Sequence, residues 1–299
     1  MSVRRELTTG GRKMADIKLF VCCHQPADVP EHPLLVPLQV GAALADTHFS
    51  GFAYDDTGDN ISDKNRSYCE LTAQYWAWKN VEAEYYGFFH YRRYLYPDIK
   101  EKLPYRIEQK ASVSLLDKLG YGVLDELIEK YDLIIPIGEN MYISVREHYA
   151  GAPFHHRKDL DLIEQIVRER HPEMTEAMEA YLSGTVCYFG NIYIMHRRLF
   201  HDYCSWLFPI LKEFDRRADT TGYAPQEQRV DGYLAERLLG IYAEYCKGLR
   251  TLELPRIFFV ENQMERWQKR CAGLVLPPGS KRRAMVKSWM KRTDQRHYG

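Results

Sequence analysis

The sequence contains no run of eighteen apolar residues, so nothing in it reads as a membrane-spanning helix. It has no C-x-x-C pair, and its cysteines (Cys22, Cys23, Cys69, Cys187, Cys204, Cys246 and Cys271) are seven, an odd number. A secreted disulfide framework and a structural zinc site are therefore disfavoured, and a reducing compartment fits. The glycine-rich phosphate loops G-x-x-x-x-G-K-[ST] and G-x-G-x-x-G are also missing. Net charge is absent too: 41 Lys and Arg face 41 Asp and Glu, which argues against a nucleic-acid partner. Residues 1–13 lack the apolar core of a signal peptide, and residues 1–14 are expected to be a disordered leader.

What is present is aromatic and globular. Hydrophobic residues make up 45% of the 299-residue chain, and there are 22 Tyr and 5 Trp. Such rings offer an apolar face and a polar tip, suited either to stacking on sugars and bases or to an ordinary tyrosine-rich core. Short apolar runs predict strands over 17–23, 86–90, 131–136, 187–195 and 257–260. Between them, helical periodicity covers 67–82, 115–130, 159–170, 174–182, 199–217 and 226–245. Ser67 and Glu70 read as a capping box, and Pro26, Pro30, Pro33 and Pro37 as a long loop. This alternation implies an α/β fold with a mainly parallel central sheet flanked by helices. A single domain is expected over 15–276. Beyond it, 277–299 forms a basic tail with Lys281, Arg282, Arg283, Lys287, Lys291, Arg292 and Arg296 interleaved with Met285, Val286, Trp289 and Met290. That tail is either an amphipathic segment drawn to an anionic membrane or a solvated terminus.

Ligands of open α/β sheets sit at the carboxyl ends of strands. The run His90-Tyr91-Arg92-Arg93 follows one such strand, and paired guanidinium groups suit a diphosphate. A second cluster, with Asp55, Asn60, Ser62, Lys64 and Asn65, could grip sugar or ribose hydroxyls, hold a divalent cation, or simply cap the next helix. His155 and His156 are adjacent and lack a third ligand at useful spacing, which reads as loop or substrate-contact histidines rather than metal ligands. A third cluster opens the helix at 226–245, where Arg229, Asp231, Glu236 and Arg237 stand among Tyr233, Leu234, Leu238 and Leu239. Intrahelical ion pairing and a base with a tuned pKa both fit that arrangement.

Three strings carry a resemblance. They are Asn60-Ile61-Ser62-x-x-Asn65 running into Cys69-Glu70-Leu71-Thr72-x-x-Tyr75-Trp76-x-Trp78-Lys79-Asn80, then His90-Tyr91-Arg92-Arg93-Tyr94-Leu95, and last Tyr188-Phe189-Gly190-Asn191 with Arg229-x-x-Gly232-Tyr233-Leu234-x-Glu236-Arg237-Leu238. Together they resemble a bacterial capsular and exopolysaccharide glycosyltransferase family whose domain long carried only an unknown-function label. The resemblance implies a GT-A-like fold, with a Rossmann-like nucleotide-sugar half and an acceptor half. It implies an enzyme that uses a nucleotide-sugar donor such as a UDP-sugar; the cysteine pattern and the basic tail give the expected location, cytoplasmic and peripheral at the inner face of the membrane. The transferred hexose would be galactose, in pyranose or furanose form, and the acceptor a lipid-linked or oligosaccharide chain of capsule, exopolysaccharide or O-antigen.

On this reading donor binding falls to His90, Tyr91, Arg92, Arg93, Asp55, Asn60, Ser62, Lys64, Asn65, Arg229 and Arg237. Asn191, His155 and His156 would meet the acceptor. An inverting reaction needs one carboxylate as base, with Glu236 first choice and Asp231 second. Where most GT-A enzymes carry Asp-x-Asp, this chain has His90-Tyr91-Arg92, so the two arginines are expected to replace a metal ion. The competing readings are a non-catalytic carbohydrate-binding scaffold and another nucleotide-handling α/β enzyme.

Overall fold

A computed structural model describes residues 15–260, 262–276, 280–283 and 285–286, together with the backbone of 8–9 and 12–13. Thr8–Thr9 and Arg12–Lys13, within the expected leader, pair as a short antiparallel ladder. The strands that follow are β1 (Ile17–Cys23), β2 (Leu35–Gln39), β3 (Ala53–Tyr54), β4 (Tyr85–His90), β5 (Arg93–Leu95), β6 (Tyr105–Glu108), β7 (Leu133–Pro136), β8 (Glu139–Asn140), β9 (Val186–Cys187), β10 (Tyr193–His196), β11 (Thr251–Leu254) and β12 (Arg256–Phe259). The α-helices are α1 (Asn65–Tyr68), α2 (Leu71–Asn80), α3 (Val113–Lys118), α4 (Leu124–Ile128), α5 (Val145–Ala150), α6 (Arg157–Arg170), α7 (Thr175–Ser183), α8 (Arg197–Arg217), α9 (Val230–Tyr245) and α10 (Gln263–Val275).

Ten of these strands form one sheet, in the order β11-β7-β10-β4-β1-β2-β3, with β5, β12 and β6 branching from β4. Pairing is parallel along β4-β1-β2-β3 and between β7 and β11, and antiparallel where β10 enters between β4 and β7. The central sheet is thus mainly parallel, as the alternation of strands and helices implied.

Period-two alternation divides the interior into two cores. Phe20 and Cys22 of β1, with Tyr86 and Phe88 of β4, join the large core built with α2 and α5 to α9. Leu19, Val21 and Cys23, with Tyr85 and Phe89, face the smaller core under α3 and α4. Gly87 lets the strands close up, since a Cβ there would come within 2.4 Å of Leu19 Cδ2.

Four local expectations are corrected. The proline-rich loop contains strand β2, with Pro37 inside it. Strand β3 pairs only with Leu38 and Gln39, so no strand covers β2 at Pro37 on that side and a missing N–H is tolerated there. The helix expected over 67–82 breaks into α1 and α2 at Cys69, whose φ is 51°, and the Ser67–Glu70 capping box does not form. Ser67 instead donates its hydroxyl to Asp231, and Glu70 turns to Asn191. The 115–130 segment divides at Gly120, which has φ 84°. The 187–195 strand is interrupted because Gly190 and Asn191 both adopt positive φ, 96° and 49°.

Strand ends meet at one edge. The register pairs Cys22 with His90, Cys23 with Gln39, and Gln39 with Tyr54. Because β10 runs the other way, with Tyr193 opposite Phe88, its preceding Gly190-Asn191 step reaches this same edge.

Asp55 shows how the edge is braced. Fully buried, its carboxylate accepts from the Gly41 and Ala42 backbone N–H groups, at 2.9 and 3.0 Å, and from Ser62 Oγ at 2.5 Å. Asp231 is equally internal, 1% exposed and bonded by Ser67. Its burial, and then the charge of Asp215, push its carboxyl up to about 7.

Two outcomes follow for stability. Asp55→Ala strands two buried N–H donors and is expected to lower unfolding free energy by about 2–4 kcal/mol in urea titrations; a loss under about 0.5 kcal/mol would refute the bracing role. For Asp231, the folded state holds a proton that the unfolded chain has released. Its contribution to stability therefore falls as pH rises from the usual carboxylate range to about 7 and is level above that. Asp231→Asn should gain about 2 kcal/mol relative to wild type between pH 5 and pH 8. An equal difference at both pH values would mean that this carboxyl titrates normally.

Candidate functional site

The run His90-Tyr91-Arg92-Arg93 is a hairpin. Strands β4 and β5 pair His90 with Arg93, leaving Tyr91 and Arg92 as the two-residue turn. A turn this short fixes the ends of both strands. Arg92 is exposed, with its guanidinium 5.1 Å from the Tyr91 ring centre. Arg93 is half-buried, packing over Phe258 at 5.4 Å. Burial lowers the pKa of Arg93, while the carboxylates of Glu70 and Glu236 support its charge.

His90 is a neutral ring. Its Nδ1 accepts from the Arg92 backbone N–H at 3.2 Å, leaving Nε2 as the protonated nitrogen. Burial, followed by Arg93, Arg92, His24 and Arg229, drives its pKa down to about 2. His24, just after β1, lies 6.0 Å from His90 and 5.3 Å from Tyr91, ring centre to ring centre. Burial, then Arg92 and Arg229, lower its pKa as well.

Two carboxylates face this cationic group. Glu236, on α9, accepts from the Gly190 N–H at 2.7 Å, and its other oxygen lies 3.6 Å from Arg237 Nη1. Glu70, at the start of α2, accepts from Asn191 Nδ2 at 3.1 Å, and the same amide donates to the Gly232 carbonyl at 3.0 Å. Burial raises the pKa of Glu70, and the neighbouring Glu236 adds to the effect. The left-handed Gly190-Asn191 step makes both bonds available: one backbone N–H points to Glu236 and one side-chain amide to Glu70. Non-glycine positive φ, at Cys69 and Asn191, costs on the order of 1–3 kcal/mol per residue.

The start of α9 packs tightly on the α1–α2 break. A Cβ on Gly232 would lie 3.1 Å from Cys69 Sγ. Arg229 Nε donates to that sulfur at 3.3 Å, and its charge reaches His24 and His90. Arg237 is buried beneath, with Phe189 and Tyr149 rings at 5.3 and 5.8 Å. Burial opposes its charge, but Glu236, Cys187 and the tyrosines hold its pKa above the ordinary value.

The structure therefore gathers His90, Tyr91, Arg92, Arg93, Arg229 and Glu236 at one edge, with Asn191 and Arg237 buried behind them; Arg237, expected to bind the donor, is 1% exposed and enclosed by the Phe189 and Tyr149 rings. Other expected residues are used elsewhere. Asp55, Asn60, Ser62 and Asn65 spend polar atoms within the fold: Asn60 Oδ1 accepts from the Ser62 N–H, and Asn65 Nδ2 donates to the Cys69 carbonyl and Thr72 Oγ1. Lys64 pairs with Asp215 at 2.7 Å, and Asp231 is sealed against Ser67. The adjacent histidines diverge. His155 lies between Tyr149 and Tyr233, at 4.5 and 4.2 Å, whereas His156 stacks on Tyr223 and pairs with Glu227.

Sequence reading missed His24, Cys69 and Glu70. The signal for His24 was its place after a buried strand. Glu70 was masked by its resemblance to a cap. Among the described residues, no three His, Cys, Asp or Glu side chains converge to hold a metal ion.

No curated protein matches the chain. One solved structure does, the bifunctional glycosyltransferase WbbM in its apo form. It is 31% identical, superposes with a TM-score of 0.78, and is matched over 82% of this chain and 45% of its own. This chain thus spans under half the length of that protein. Residues 18–247 match the family described as Domain of unknown function (DUF4422), and the chain belongs to that family.

Proposed function

We propose that this chain is a glycosyltransferase that moves a hexose from a nucleoside-diphosphate sugar to a saccharide acceptor. One observation carries the reading: Arg92, Arg93 and Arg229 surround a neutral His90 at the parallel-strand edge, opposite Glu236 and Glu70. Likeness to a bifunctional glycosyltransferase supports it.

In the transfer, the acceptor hydroxyl attacks the anomeric carbon and the bond from that carbon to the diphosphate oxygen breaks. Arg93 and Arg92 neutralise the charge on the departing diphosphate, and His90 Nε2–H donates a hydrogen bond to it. Glu236 takes the hydroxyl proton, giving inversion. It suits that role better than Asp231, because its side chain is 17% exposed and Asp231 is sealed. The Gly190 N–H orients Glu236 and the Asn191 amide orients Glu70, and His155, through Tyr233, borders the acceptor side. With guanidinium groups supplying the positive charge, no step requires a divalent cation. Galactose as the hexose, and a growing capsular, exopolysaccharide or O-antigen chain as acceptor, follow from the resemblance of the sequence strings.

We also propose contact with the cytoplasmic membrane face through α10. Met264, Trp267 and Val275 are 63, 64 and 72% exposed, and with Cys271 they follow helical spacing along one side. Exposed Lys281, Arg282 and Met285 follow it. An outward apolar stripe beside bases suits an anionic lipid surface. Lys287, Trp289, Met290, Lys291, Arg292 and Arg296 lie outside the described residues. No described helix is long and apolar enough to cross a membrane.

A panel of nucleotide sugars should identify the donor by thermal shift, with about 2.7 kcal/mol of stabilisation at a hundredfold excess over Kd. Arg93→Ala should abolish that shift, and Glu236→Gln should retain it while kcat drops about 10²- to 10⁴-fold. Turnover should survive chelation. Full activity of Glu236→Gln would assign the base elsewhere, and no response to any nucleotide sugar would sink the transferase reading. For α10, the protein should sediment with phosphatidylglycerol-rich vesicles and not with pure phosphatidylcholine, and Trp267→Glu should release it. Equal recovery of both proteins would remove α10 from membrane contact.

A further inference from the structure

Helix α9 continues past the site, and its accessible side leads to a second feature. From Val230 to Tyr242 only Tyr233 and Glu236 escape full burial, and the stripe that begins with exposed Arg229 resumes at Ala243, Glu244 and Lys247. Glu236, Gly240, Ala243 and Glu244 lie on one side of α9, with Gly240 buried under the Tyr181 ring between Glu236 and the helix end. That face opens into a cavity of about 370 Å³ between α7, α9 and the β7–β11 edge of the sheet.

The cavity has the make-up of a saccharide seat. Tyr181 and Tyr188 line it, their rings nearly coplanar in direction at 7° and 6.3 Å apart. Gly240 permits this: a Cβ there would fall 1.9 Å from Tyr181 Cζ, so only glycine lets the ring lie on the helix. Tyr188 Oη donates to Glu253 Oε1 at 2.9 Å, which fixes the second ring. The ion-paired Glu244 and Lys247, with Thr185, supply hydrogen-bonding groups along the rim. Aromatic faces bordered by carboxylate, ammonium and hydroxyl match the alternating C–H faces and hydroxyl edges of sugar rings. Gly240 is one turn beyond Glu236, about 6 Å along the axis. The cavity therefore starts where the second sugar of an acceptor would lie, if Glu236 receives the proton of the first.

We infer that this cavity is a subsite for an extended saccharide acceptor, binding the sugars behind the one that is glycosylated. The inference rests on the transferase reading of the Glu236 site and deepens it by saying where the acceptor's further sugars bind.

The test uses galactose, glucose and mannose oligosaccharides of one to four residues. Binding is followed by saturation-transfer difference NMR, and transfer by KM as a function of acceptor length. Wild type should bind the longer members and show a falling KM with length. Ala243→Trp, which fills the cavity, and Tyr188→Ala, which removes one ring, should each raise KM for the longer acceptors about five- to tenfold, the loss of one ring–sugar stack. Donor hydrolysis and the donor-induced thermal shift should be unchanged, and circular dichroism melting should confirm folding. Oligosaccharides that bind both variants as well as wild type, or that bind none of the three proteins while a donor still stabilises them, overturn the subsite and leave the transferase reading intact. If no nucleotide sugar stabilises the protein either, the two readings fall together.

Discussion

The bond from the Gly190 N–H to Glu236 ties the halves of this molecule together. Its donor belongs to the sheet edge, just before β10, and its acceptor to α9. Without the left-handed turn at Gly190 and Asn191, that N–H would join a strand ladder and the carboxylate would have no fixed direction. The same turn aims the Asn191 amide at both Glu70 and the Gly232 carbonyl, so a single irregularity positions two acids and one helix. Its cost is offset by packing around it: Phe189 lies over Arg237, and its carbonyl accepts from buried Arg256. Arg256 in turn is paired with Glu139. Irregular backbone persists where surroundings determine it this thoroughly.

Charge is arranged around that turn with little solvent to screen it. Guanidinium groups cannot shed a proton at physiological pH, so burying Arg93 requires anions nearby, and Glu70 and Glu236 meet that need. His90 responds in the other direction: surrounded by cations, it stays neutral and keeps one N–H to donate. The result is an edge with permanent positive charge, one neutral donor and two acids. Such mixtures of opposed perturbations mark functional sites more often than structural ion pairs do.

Much of this was legible before any coordinates. Alternating apolar runs announced the sheet, because β1 and β4 are buried on both faces and read as continuous hydrophobic strings. The paired arginines stood out for the same reason, directly after such a string. What remained hidden was local and long-range at once. Cys69 breaks its helix because α9, more than 160 residues on, presses Gly232 against its sulfur, and no periodicity in 67–82 carries that information. Glu70 satisfied a capping pattern on paper, yet the break moved it into the site. Asp55 to Asn65 looked like a ligand-binding loop because polar side chains that brace a backbone from within have the same composition as those that grip a sugar. Ser62 and Asp55 differ from site residues only in where their hydrogen bonds end.

The tight connection between β4 and β5 has a mechanical meaning. Two residues allow almost no slack, so Arg93 sits on a strand cross-linked to its neighbours through β12 rather than on a flap. An anion arriving there meets a rigid cradle and need not drag a loop into order. Any slow closing motion must therefore belong to segments remote from that hairpin, which should be as rigid in the empty protein as in a loaded one.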